Sequence, residues 1–94
     1  MEEFWAYILG NKDNSVLYVG MTNNLRRRIS EHKEGAGARF TTKYNVNRLL
    51  YYDGFQTRAQ ALAREKQLKN WHRDWKLNLI REFNPEMRDL FEEI

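Results

Sequence analysis

The stretch Tyr18-Val-Gly-Met-Thr-Asn-Asn-Leu-Arg-Arg-Arg-Ile-Ser-Glu-His32 decides the fold. It reads as the end of a strand, a short polar turn and the opening of a helix. Val16, Tyr18 and Gly20 alternate with Leu17 and Val19, which is the period of a strand. Thr22, Asn23 and Asn24 offer N-cap oxygens ahead of Leu25, and Gly35 offers a stop, so a helix is expected over about residues 24–34. At about 100° per residue, Leu25 and Ile29 mark its buried stripe. Arg28 and His32 fall within about 60° of Leu25, while Arg26 and Arg27 turn toward solvent. One arginine of three leans toward the protein, with a histidine one turn further on.

Upstream, Phe4-Trp-Ala-Tyr-Ile-Leu9 is apolar on both alternating faces, as in a covered strand. Gly10-Asn-Lys-Asp-Asn-Ser15 is rich in turn formers and predicts a hairpin back into Val16 to Gly20. A hairpin symmetric about Lys12-Asp13 sets Tyr7 opposite Tyr18, two phenols side by side on one face. Such a pair is also an ordinary aromatic contact of a core.

Downstream, residues 35–47 look like a connection, glycine-rich first and then Arg39-Phe-Thr-Thr-Lys-Tyr44. Cations, hydroxyls and aromatics interleaved in this way suit phosphate contacts and base stacking. The same string equally describes a loop that tucks Phe40 and Tyr44 into the core. Arg48 to Phe55 is a third strand, with Leu49, Tyr51 and Phe55 on one side and Leu50 and Tyr52 on the other. Thr57 with Gln60 forms a capping box for a second helix. Its stripe runs Ala61, Glu65, Leu68 and then Trp71 or His72, which puts a carboxylate on the apolar line. A carboxylate there is either ion-paired structure or a functional group. Asn70 to Asp74 reads as a break, with Trp75 to Ile80 as a shorter helix and Trp71 and Trp75 in the core. Asn84-Pro85 signals a terminal helix that docks through Met87, Leu90, Phe91 and Ile94.

Ninety-four residues suffice for one domain, 1–94, with one modest core. No apolar run approaches the ~20 residues of a membrane span, and no signal-peptide pattern opens the chain, so a cytoplasmic protein is expected. The absence of cysteine excludes disulfides and thiolate metal sites. Two histidines far apart in the chain speak against a histidine zinc site. The net charge of +3 is unevenly spread: residues 21–48 and 58–81 are each strongly basic, and residues 82–94 are acidic. Basic helices are often no more than solvated faces, but these blocks also carry aromatics, a combination that points to nucleic acid.

The side chains able to converge on chemistry are Tyr7, Tyr18, Arg28, His32 and Glu65. They form no Ser/His/Asp set, and no phosphate-cradling glycine loop is present. One carboxylate does not make a two-metal site, but it suffices for one hard cation completed by water and a substrate phosphate. A tyrosine can orient or deprotonate water if a cation is near, and Arg28 can stabilise charge on a phosphoryl group. Metal-assisted phosphodiester hydrolysis is the chemistry that this set favours.

With these residues in view, the chain resembles the GIY-YIG nuclease superfamily, most closely its small standalone members. It is also similar to the nuclease domains of the bacterial excision-repair endonuclease and of phage homing endonucleases. Trp5-Ala6-Tyr7 stands at the GIY position and Tyr18-Val19-Gly20 at YIG. Arg28 and His32 stand at the family's helix positions. Ala63-Arg-Glu65-Lys-Gln-Leu-Lys69 with Trp71 matches the segment of the metal-binding glutamate, and Leu79-Ile80-Arg81 with Asn84-Pro85 matches the close of the standalone type. Trp5 and Ala6 depart from the first two letters of GIY. Met21 stands where the excision-repair enzymes carry a lysine, which leaves phosphate contacts to Arg28 and the loop.

The resemblance implies an α+β fold, a small three-stranded antiparallel sheet flanked by helices. It implies that Tyr7, Tyr18, Arg28, His32 and Glu65 share one concave catalytic face with Mg²⁺ or Mn²⁺ on Glu65. The implied activity is a metal-dependent endonuclease acting on DNA in repair or processing, with RNA also open. The alternative is a nucleic-acid-binding module that cleaves little by itself. Arg26, Arg27, Arg39, Lys43 and Lys69 are the expected nucleic-acid contacts, and a partner protein is one source of specificity.

Overall fold

The structure, a computed structural model, describes residues 2–94. Three strands, β1 (Phe4–Gly10), β2 (Leu17–Thr22) and β3 (Arg48–Phe55), form an antiparallel sheet in the order β2-β1-β3. Between β2 and β3 lie α1 (Leu25–Lys33) and α2 (Arg39–Tyr44), and after β3 come α3 (Arg58–Asn70) and α4 (Arg73–Phe83). A single 3-10 turn, Phe91–Glu93, follows. This is the α+β architecture expected. Among the described residues, no helix is long and apolar enough to cross a membrane.

Alternation along β1 divides the core between the two faces of the sheet. Tyr7 and Leu9 point to one face, where Leu25 and Ile29 of α1, Val46, Leu49 and Leu90 close over them. Ile8 points to the other, among Val19, Leu50, Tyr51, Leu68 of α3 and Ile80 of α4. Asn24 caps α1 by accepting from the Arg27 N–H at 3.1 Å, as its position predicts. The Thr57/Gln60 capping box opens α3 with both reciprocal bonds at 3.2 Å.

Six local expectations are corrected. Tyr7 faces Gly20 in the ladder, and Tyr18 faces Leu9. The hairpin closes on Asn11 and Val16, because Asn11 Oδ1 accepts the Val16 N–H at 3.0 Å and Asn14 turns the chain at φ 61°. A slip of two residues preserves the face, so both tyrosines still point the same way. On β3 a register shift between Ile8 and Leu9 pairs them with Tyr51 and Leu49, and Leu50 is the extra residue of a bulge. Leu49 and Tyr52 therefore share the Tyr7 face, while Leu50 and Tyr51 share the other.

The connection after α1 contains a further helix, α2, which ends on Asn45 in the left-handed conformation at φ 55°. The break between α3 and α4 is confined to Trp71 and His72, whose ψ values of 147° and 152° are extended. Trp71 packs on the core, but Trp75 is 56% exposed rather than buried. No helix starts at Asn84-Pro85. Asn84 spends its side chain on Leu50 O, Arg88 O and the Arg88 N–H, and Met87 turns at φ 54°. The segment docks all the same, through buried Leu90 and its N–H to Leu49 O at 2.8 Å.

Candidate active site

Tyr7 is only 1% exposed, yet its hydroxyl reaches polar company. Its ring lies across Gly20 of β2, where a Cβ would meet the phenol oxygen at 2.4 Å. The glycine is thus a gap in the sheet surface through which the phenol passes toward α1. There Tyr7 Oη lies 3.0 Å from His32 Nε2. On the opposite side of that imidazole, Nδ1 lies 2.9 Å from Thr41 Oγ1, and the threonine hydroxyl donates to Ala38 O at 2.8 Å.

Donor counting fixes the direction of this chain. Thr41 has one hydroxyl hydrogen and gives it to Ala38, so His32 Nδ1 must carry the proton that bonds to Thr41. Nε2 is then a bare acceptor, and the Tyr7 hydroxyl donates to it. Electrostatics agree. Burial, with the Arg28 charge nearby, pushes the His32 pKa down to about 4, so the ring is neutral at pH 7. Burial pushes the Tyr7 phenol up to about 12, and the Arg28 guanidinium opposes that rise.

Tyr18 joins the group from the same face, with its ring centroid 6.5 Å from Tyr7 and 5.6 Å from His32. Arg28 is half-buried and holds Glu31 at 3.0 Å. Burial works against its charge, but Glu31 and Tyr7 outweigh that and raise its pKa. Glu65 comes from α3 on the other side of the sheet and is near enough to Tyr7 for its charge to raise the phenol's pKa. Its side chain is 16% exposed and takes Lys69 Nζ at 3.4 Å. Tyr7, Tyr18, Arg28 and His32 are thus one contiguous cluster, and Glu65 faces it from the opposite layer.

The donor set has one carboxylate from α3, and among the described residues no three His, Cys, Asp or Glu side chains gather as a metal cage. A half-buried carboxylate within electrostatic reach of Tyr7 fits a hard divalent cation that keeps most of its water and shares substrate phosphate. Glu65 is the residue that would hold it.

The basic residues divide by geometry. Arg27 and Arg39 are exposed. Lys43 Nζ sits 5.3 Å from the Tyr44 ring centroid, and Lys69 pairs with Glu65. Arg26 is engaged elsewhere: its guanidinium donates to Ile94 O at 2.6 Å and covers the Phe91 ring at 4.6 Å. Sequence reasoning missed Thr41, because only the turn of α2 aims it at His32 and residues 35–47 gave no periodic signal. It also missed Gly37, whose backbone closes on the His32 ring so tightly that a Cβ would meet Nδ1 at 2.4 Å.

Comparison with known proteins bears on this geometry. The GIY-YIG catalytic domain matches residues 3–78, from the start of β1 into α4. The chain belongs to the GIY-YIG family. A UPF0213 protein of Clostridium perfringens is 42% identical over 81% of each chain. One from Haloquadratum walsbyi is 37% identical over 83% of this chain and 86% of its own. The solution NMR structure of a UPF0213 protein from Bacillus halodurans superposes with a TM-score of 0.51 at 34% identity, covering 82% of this chain and 81% of that one. All four clustered residues and Glu65 lie inside the GIY-YIG match.

Proposed function

We propose that this GIY-YIG protein is a divalent-metal-dependent endonuclease that hydrolyses phosphodiester bonds in DNA. Tyr7, Tyr18, Arg28, His32 and Glu65 form its site. The observation that carries the reading is the directed bond from a buried phenol to a neutral imidazole, beside a half-buried guanidinium. A core tyrosine needs a partner for its hydroxyl, but it does not need an arginine and a carboxylate converging on it from two layers.

Burial limits how the proton moves. It raises the pKa of the Tyr7 phenol and lowers that of the His32 imidazole, so moving the Tyr7 proton to His32 as a separate step runs against both shifts. A free phenolate is therefore not the resting state. Because the Tyr7 O–H points at His32 Nε2 and the Arg28 guanidinium takes one side of the oxygen, the remaining lone pair is left to accept from a water. As that water attacks phosphorus, its proton passes to Tyr7 Oη while the tyrosine proton passes to Nε2, so no phenolate accumulates. The imidazolium so formed keeps its Nδ1–H on Thr41. Arg28 binds the phosphoryl oxygens and offsets their growing charge. A Mg²⁺ or Mn²⁺ on Glu65 would supply Lewis-acid stabilisation of the same oxygens. Arg27, Arg39 and Lys43 track phosphates outside the centre. Repair or another form of DNA processing is the setting that the likeness to the excision-repair nuclease domain suggests.

The deciding experiment measures cleavage of duplex, nicked, flap, branched and single-stranded DNA with and without Mg²⁺ or Mn²⁺, in wild type and Glu65→Gln. The amide is nearly isosteric but lacks the charge that holds the cation. Metal-dependent cleavage is expected in wild type and its loss in Glu65→Gln, with binding retained. Wild-type rates in the variant at saturating metal would remove Glu65 from the site. Binding without cleavage of any substrate would favour the module without activity.

A further inference from the structure

Four large apolar side chains stand exposed among the described residues, and two of them are neighbours on one short helix beside the candidate site. Phe40 and Tyr44 are each 43% exposed. They extend the site's own aromatic group: Phe40 stacks on Tyr18 at 6.2 Å with an interplanar angle of 25°, and Tyr44 meets Phe40 at 4.9 Å. The result is a stair of rings, His32, Tyr18, Phe40 and Tyr44, rising from the buried centre to the surface. Cations flank its outer steps, with Arg39 exposed next to Phe40 and Lys43 over the Tyr44 ring. The inner face of the same helix holds Thr41 against His32, so the platform is registered to the site.

We infer that this stair is a stacking platform for an unpaired nucleobase of the substrate strand, next to the phosphate that Arg28 receives. The inference rests on the nuclease reading and narrows its substrate class. A base inside a duplex has both faces covered by its neighbours and offers the protein only its edges. An exposed ring with a cation beside it instead takes a base face and the adjoining phosphate, worth about 1–3 kcal/mol per base. The favoured substrates therefore carry an unpaired nucleotide at the cleavage site, as in a single strand, flap or overhang. Blunt, fully paired DNA is disfavoured.

The test uses the full chain in chelator, so that cleavage plays no part. A fluorescent adenine analogue, 2-aminopurine, is placed in a 3′ or 5′ overhang, in a flap, or paired within a blunt duplex. Stacking is expected to quench the unpaired probe, and the unpaired substrates are expected to bind about 5- to 150-fold tighter than the blunt duplex. Phe40→Leu keeps an apolar contact on Tyr18 but removes the π face, and Tyr44→Leu does the same one step out. Both are expected to lose the quench and most of the preference while retaining the wild-type melting temperature and binding to blunt duplex.

Equal affinity for blunt and unpaired substrates, or a quench that survives Phe40→Leu and Tyr44→Leu together, would overturn the inference and leave the nuclease reading intact. A concentration-dependent dimer that Phe40→Leu dissociates would overturn it by giving the platform to a second copy. Absence of binding to every polynucleotide would overturn it together with the nuclease reading.

Discussion

Arg26, Arg27 and Arg28 share one chemistry and three fates, which makes them a test of placement. Arg26 is tied to the backbone of Phe91 and Ile94, Arg27 faces solvent, and Arg28 bears on Tyr7. Arg28→Ala is expected to lower single-turnover cleavage at saturating substrate by about 10²–10³, the loss of one electrophilic donor. Arg27→Ala should cost only affinity, restored at low salt. Equal rate losses in the two would reduce Arg28 to bulk charge. Helical phase alone distinguished Arg28, whereas the task of Arg26 depends on a terminal segment whose course no local pattern predicts. Thr41 was illegible for the same reason, and it carries a prediction of its own. Thr41→Val removes the acceptor of His32 Nδ1–H, so the imidazole gains by moving its proton to Nε2 and can no longer accept from Tyr7. The ¹⁵N shifts of His32 are expected to report that exchange of tautomers, and cleavage should fall with unchanged DNA affinity. Wild-type shifts in the variant would show that Thr41 does not set the tautomer.

At the scale of the elements, the site is a matter of how closely β2 lets β1's side chain pass. Gly20 lacks the Cβ that would meet the Tyr7 ring at 2.4–3.0 Å, contacts closer than real Cβ atoms make. Gly20→Ala should therefore push the phenol off His32 and destabilise the fold by roughly 1–3 kcal/mol, as overpacking does. A denaturant midpoint and a tyrosine titration check this together, since a displaced phenol should ionise below about 12. An unchanged midpoint and titration would mean that the strands separate without cost. The strands, α1, and the capping box of α3 were legible because period and cap chemistry act locally. The ladder register, the Leu50 bulge and the Asn84 turn were not. Side chains bonding to backbone act at all three: Asn11 at the hairpin, and Asn84 both at the end of α4 and on Leu50 O of the bulge. A carboxamide in a turn-rich stretch signals a turn, but not which partner it will choose.

For the whole molecule, two buried groups couple stability to acid. His32 sits between the sheet and α2 with a pKa near 4, against about 6.5 in the unfolded chain. Between those values the unfolded chain binds a proton that the fold refuses, so stability rises with pH across that window. It is fully present above pH ~6.5 and lost as pH falls through about 4, an effect on the order of 3 kcal/mol. Asp89 acts at lower pH. Burial pushes its carboxyl up, but the Lys33 ammonium and the N–H groups of Phe91 and Leu49 outweigh that and hold it below the ordinary carboxylate range. Its contribution is present near neutrality and lost as pH falls below that range. The two can be separated because only His32 acts near pH 5–6. Denaturant midpoints for wild type should fall between pH 7 and pH 5, and His32→Gln should flatten that slope while leaving the steeper fall below pH 4. An equal slope in His32→Gln would mean that His32 is charged or solvated in the fold. The neutral imidazole that accepts from Tyr7, and the proton path built on it, would fall with that result.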